Sequence, residues 1–165
     1  MPPSDPESAS VRLGKRLGAP AVDADFEGGL GSLQAIGEAA CHALQAQDAD
    51  TLRALCVTER EFREILWREF PQSRPATGLT WQDGWTFLNA RLQSGCQSAV
   101  GDFGRDTLQF VRFERTDTTA VFRNFRLHNG LVLVARAPGG EERRYAWLRS
   151  VAERRGRFKI YSVTD

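Results

Sequence analysis

Five alternating runs between Thr107 and Thr164, separated by turn sequences of two or three residues, constrain this chain more than any other feature. Thr107–Arg115 sets Leu108, Phe110 and Arg112 against Gln109, Val111 and Phe113. Thr119–Leu127 sets Val121, Phe125 and Leu127 against Ala120, Phe122 and Asn124. Leu131–Ala137 is short and apolar. Arg143–Glu153 sets Tyr145, Trp147 and Val151 against Ala146, Leu148 and Ala152, and Arg157–Thr164 sets Phe158 and Ile160 against Tyr161 and Val163. β-Branched and aromatic residues at period two predict strands. Thr116-Asp117, His128-Asn129-Gly130, Pro138-Gly139-Gly140 and Arg154-Arg155-Gly156 predict the turns between them. Links this short join antiparallel neighbours, so the runs predict a meander. Aromatic residues fall on both parities. One side of the sheet is then expected to be covered by helices, and the other to meet a partner or a ligand.

At 165 residues the chain fits one domain, and 41% hydrophobic with 26% charged residues is the make-up of an ordinary globule. The net charge of +1 excludes a global pull toward nucleic acid or membrane. Charge is unevenly placed: from Thr107 onward there are 12 basic and 6 acidic residues, and the preceding half is acidic. Cys41, Cys56 and Cys96 are odd in number and form no C-x-x-C pair, which suits free thiols in a reducing compartment. No apolar leader or membrane span is legible, so a cytoplasmic location is expected, with a trimmed leader equally compatible.

Before the strands, Met1 to Gly31 is rich in Pro and Gly and poor in apolar residues, predicting an irregular or disordered lead-in to a single domain over 32–165. A helix is predicted over Leu33–Gln47 with Ser32 as N-cap, then a short helix capped by Asp50. The capping box Thr58-Glu59-Arg60-Glu61 opens a second helix to Phe70, stopped by Pro71. Thr80 to Asp83 opens a third, in which Trp81, Trp85, Leu88 and Leu92 share a face and fraying is expected near Gly95 or Gly101.

Trp81 and Trp85 with Tyr145 and Trp147 have the character of an apolar ligand pocket, or of core aromatics packing the third helix on the sheet. Among Arg112, Arg123, Arg126, Arg136 and Arg149, one or two can hold a carboxylate or phosphate, Arg112 being the candidate beside the aromatics. Otherwise they form a solvated face. Asp83, Asp102, Asp106, His42 and His128 are the titratable candidates for acid–base work. Asp83 reads better as a cap, Asp102 and Asp106 as loop residues, His42 as a helix-surface residue and His128 as a turn residue. Two distant histidines and scattered cysteines match no metal pattern, and no phosphate loop, nucleophile elbow or RNA-binding motif is present.

Three helices followed by antiparallel strands, closing on Gly156-Arg157-Phe158-Lys159-Ile160-Tyr161-Ser162-Val163, resemble the NTF2-like superfamily of cystatin-like α+β cones, which includes SnoaL-type and ketosteroid-isomerase-type domains. Gly156, Phe158, Ile160 and Val163 carry the terminal motif, and Tyr145-Ala146-Trp147-Leu148-Arg149 is similar to the penultimate strand. The resemblance covers residues 32–165. It implies an α+β fold with N-terminal helices packed on a strongly curved antiparallel sheet, a pocket between them, and dimerisation through the convex face. The isomerase Tyr/Asp set and the dehydratase His/Asp pair find no positional match, so no catalytic residue is transferred. The expectation is a non-catalytic pocket domain that needs no cofactor, metal, nucleic acid or membrane. It binds a small apolar or weakly anionic ligand through Trp81, Trp85, Arg112, Tyr145 and Trp147, and forms a homodimer through its sheet. The alternatives are an isomerase- or dehydratase-like enzyme with an unidentified carboxylate, and a protein-binding accessory domain of a bacterial-type system.

Overall fold

The structure, a computed structural model, describes residues 5–104 and 107–164. It is an α+β fold: helices α1 (Ala9–Leu13), α2 (Leu33–Gln45), α3 (Ala49–Ala54), α4 (Glu59–Glu61) and α5 (Trp81–Phe103) precede seven strands. These are β1 (Gln109–Arg115), β2 (Thr119–Val121), β3 (Arg126–His128), β4 (Leu131–Arg136), β5 (Glu142–Tyr145), β6 (Leu148–Arg154) and β7 (Arg157–Val163). Every ladder is antiparallel, but the strands form neither a meander nor one strongly curved cone. They divide into two sheets, β1-β4-β5 and β2-β3-β6-β7, neither of them closed or strongly curled.

The chain crosses between the sheets at the β1–β2, β3–β4 and β5–β6 links, and two interruptions break the expected strands. Thr119–Leu127, expected as one strand, folds back at Phe122–Phe125, where the Phe122 amide donates to the Phe125 carbonyl at 2.9 Å. The turn contains no Gly or Pro. The buried Glu69 carboxylate holds it instead, accepting from the Arg123 and Asn124 amides at 2.6 and 2.9 Å. Phe122 and Phe125 then stack 4.4 Å apart, with Phe70 edge-on to both. Arg143–Glu153 is likewise broken at Ala146-Trp147, where the chain passes between sheets and Trp147 enters the core. The β1–β2 link also changes sheets. Gly130 lies so close that a Cβ there would meet Asp117 Cβ at 2.6 Å, and its φ of +62° favours glycine as well.

Face assignments change too. A register shift between Phe110 and Arg112 marks a bulge at Val111 that reverses the expected parity. Phe110 and Phe113 come together, ring centroids 5.2 Å apart, and pack with Cys41, Leu108, Leu133 and Ala135. Arg112 and Glu114 fall on the opposite face, where Arg112 grips Glu142 through two bonds of 2.9 and 3.0 Å and Arg144 grips Glu114. These pairs hold Glu114 down at about 2 and Arg112 above its ordinary range. Their stems lie on the sheet around the fully buried Val134.

The helix starts follow their caps. Ser32 accepts from Ala35, and Thr58 with Glu61 and Thr80 with Asp83 form complete capping boxes. Asp48, not Asp50, caps α3. The second predicted helix is only briefly α-helical and continues as a π-turn over Phe62–Leu66 and a 3-10 turn over Trp67–Glu69. α5 does not fray at Gly95. A Cβ at Gly95 would lie 2.3 Å from Val163 Cγ2 and 2.9 Å from the Thr164 carbonyl, so the glycine seats the helix on β7. Helix propensity favours Gly95→Ala by about 1 kcal/mol, but the clash outweighs it. We expect a net loss of about 1–3 kcal/mol in urea denaturation.

The segment before α2 is strapped across the second sheet. Arg154 donates to the Val22 and Ala24 carbonyls at 2.6 and 2.8 Å, and Asn124 bonds Val22 and Pro20. Glu27 is held by Glu61 and Lys159, and Leu30 makes two backbone bonds to Phe158. Residues 55–57 bond to Ile160 beside it, so the outer edge of β7 is covered. Among the described residues no helix is long and apolar enough to cross a membrane.

Candidate functional site

The residues proposed from sequence as one ligand site do not meet. Trp81 and Trp85 stand on the first two turns of α5, Trp85 against Phe62 at 5.8 Å with Arg53 over its ring, and Trp81 beneath Arg63. Tyr145 packs on Phe103 at the other end of that helix, with ring centroids 4.8 Å apart. Eighteen residues of helix separate Trp85 from Phe103, about 27 Å at 1.5 Å per residue. Trp147 is buried in the main core, and Arg112 lies in the ion-pair lattice on the outer face of the first sheet.

The titratable candidates have structural surroundings. Asp83 caps α5, and the Thr80 amide and hydroxyl hold its carboxyl below the usual range. Asp102 is exposed on the last turn of α5, and Asp106 lies outside the described residues. His128 is not a turn residue: it closes β3 and is buried. Its Nε2 is 2.8 Å from Glu153, its Nδ1 is 3.0 Å from the Arg115 guanidinium, and its ring lies over Phe158. With Arg115 donating to Nδ1, the proton sits on Nε2 and points at Glu153. Both nitrogens are then satisfied within the sheet. Among the described residues no group of three His, Cys, Asp or Glu side chains is placed to hold a metal.

A groove of about 600 Å³ opens elsewhere, between α2, the start of β1 and the β4–β5 turn. Local structure explains it. Gly37, in mid-helix, lets the Phe110 ring lie against the α2 backbone, where a Cβ would meet the ring at 2.2 Å. Gln45 donates to the Leu108 carbonyl and fixes the strand's entry to the helix. Above these contacts, Glu38, Cys41, His42 and Gln45 repeat at helical spacing along one wall. Leu108, Phe110 and Ala137 make the apolar side, with Arg136 at the rim.

Polar side chains make up half of the lining, Glu38, His42, Gln45, Thr107, Gln109 and Arg136. Cys41 is buried at the groove's base, and burial pushes its thiol up to about 11, so at neutral pH it is a small apolar group rather than a nucleophile. Glu38 accepts from Gln34 and stays exposed, as does His42. Arg136 faces Glu142 across the β4–β5 ladder, but that carboxylate is already held at both oxygens by Arg112. Among the described residues Arg136 therefore has no dedicated counter-ion.

His42, Cys41 and Arg136 were each noted in the sequence for other reasons. Nothing there joined them, because the groove depends on the contact between Gly37 and Phe110 across more than 70 residues. The one available signal was an isolated glycine inside a helical pattern, which marks close approach of another element. No family model, curated protein or solved structure matches this chain.

Proposed function

We propose that this chain is a non-catalytic binding domain. Its α2–β1 groove takes a small, mainly apolar ligand with one weakly anionic end, the tail against Leu108, Phe110 and Cys41 and the acid at Arg136. The observation that carries the reading is the pairing of a groove of ligand size, apolar along Leu108, Phe110 and Ala137, with a rim guanidinium whose cross-strand carboxylate is engaged elsewhere. The order of elements and the closing strand Arg157–Val163 support a distant NTF2-like relationship, from which the two-sheet division departs.

Decanoate and decanol serve as acidic and neutral probes of one tail. Saturating decanoate is expected to shift the backbone amide resonances of Cys41, His42 and Leu108 in NMR spectra. Arg136→Gln is expected to weaken decanoate binding at least about tenfold, the size of a lost charge-assisted hydrogen bond, and to leave decanol unchanged. Unshifted Cys41, His42 and Leu108 amides at saturation, or equal weakening of both probes, would refute the reading. Native mass spectrometry of fresh protein would show any ligand retained from the cell.

A further inference from the structure

The solvent face of α5 is unlike an ordinary helix surface. Its buried side is formed by Leu88, Leu92, Gly95, Cys96 and Ala99. On the opposite side Phe87, Ala90, Ser94, Gln97 and Gly101 are all exposed, at alternating spacings of three and four. Phe87 is 64% exposed, an isolated aromatic ring on open helix. From Gly84 to Gly101 the only charged residue is Arg91, in a chain with 26% charged residues, and its guanidinium lies 4.9 Å over the Phe87 ring. Solvated helix faces carry charge, whereas depletion of charge around an aromatic is the composition of an interface centre.

We propose that this face pairs with the same face of a second copy, the two α5 helices antiparallel about a two-fold axis at Ser94. In that register each position meets the one equally far beyond Ser94. Phe87 meets Gly101, where no described residue lies within 4 Å of a Cβ position, so the one large side chain faces open space. Ala90 meets Ser98, and Ser94 meets itself, so the axes approach closely. Arg91 meets Gln97 and Asp102 meets Thr86, so no like charges oppose each other. A second copy fits better than an unrelated partner because this match of knob, gap and charge is internal to one helix.

The other candidate surfaces suit self-association less. The outer face of the first sheet is a lattice of paired Arg and Glu, and the edge of β7 is already covered. The seam from Phe87 to Gly101 runs about 21 Å. Its footprint falls below the ~800 Å² per partner of standard complexes, so the dimer is weak, in the micromolar range.

Sedimentation velocity from about 1 to about 500 µM, a range bracketing micromolar dissociation, reads this directly. The wild type is expected to pass from one chain to two, while Phe87→Glu and Ser94→Lys remain single chains with unchanged thermal melts. Ser94→Cys is expected to give a disulfide-linked dimer on mild oxidation, its two sulfurs meeting on the axis. A wild type monomeric throughout, or a dimer insensitive to both charged variants, overturns the proposal.

Discussion

Replacing Lys159 by methionine should destabilise the protein by about 3–5 kcal/mol, the cost of stranding one member of a buried ion pair. Lys159 lies on β7 with its side chain 3% exposed, and its ammonium is 2.7 Å from Glu61, whose side chain is completely buried. Glu61 also accepts from the Thr58 amide at 2.8 Å and the Glu27 amide at 2.7 Å, so the carboxylate stays inside when the lysine is removed. It then keeps its hydrogen bonds but loses its counter-charge. For a chain of this length the melting point should fall by on the order of 10 °C. The pair itself need not be strongly stabilising, because desolvating two charges offsets much of their attraction. Lys159→Met combined with Glu61→Gln should therefore recover part of the loss, since the buried charge is gone and Gln still offers an oxygen to one of the two backbone amides. Urea denaturation of the two single variants and the double gives the coupling. A single-variant loss below about 1 kcal/mol, the range of surface pairs, would show that the charge is not confined as described.

The same pair illustrates what a sequence of this kind displays and what it conceals. Glu61 is readable as the far end of a capping box because the signal lies within four residues, and Ser32, Thr80 and Asp83 are readable for the same reason. The stripe of Trp81, Trp85, Leu88 and Leu92 is readable from its period, and the structure turns Trp85, Leu88 and Leu92 toward the core while Trp81 stays half-buried beneath Arg63. Lys159 is not. It alternates with Phe158 and Ile160, and alternation alone marks it as solvent-facing. It is buried because the lead-in crosses that face of the sheet, a contact made over more than 100 residues. Glu69 is concealed in the same way: nothing near Phe122-Arg123-Asn124-Phe125 marks a turn, since the group that stabilises it lies in the helical half. The bulge at Val111 reverses one strand's parity and brings Phe110 and Phe113 to one face. The groove is the least visible feature, because its wall depends on where α2 settles against Phe110.

Arg154→Met should release that lead-in. The arginine is almost fully buried at the end of β6, and its fork reaches three carbonyls, Val22 at 2.6 Å, Asn124 at 2.7 Å and Ala24 at 2.8 Å. Methionine fills similar space with no donor. Each carbonyl left buried and unpaired costs about 1–3 kcal/mol, but the total is capped because residues 20–27 can lift into water and hydrate. The expected loss is about 2–4 kcal/mol, and its distribution matters more than its size. Hydrogen exchange should lose protection first at the Val22, Glu27 and Leu30 amides, which bond Asn124, Glu61 and Phe158 across the strap. The α5 amides should change only by the global loss. Arg154→Lys should rescue little, since a single ammonium cannot reproduce the planar fork that spans three acceptors. If the Val22 and Leu30 amides exchange as slowly as in the wild type while the whole fold weakens uniformly, Arg154 is a core packing residue and the strap is held by its other contacts.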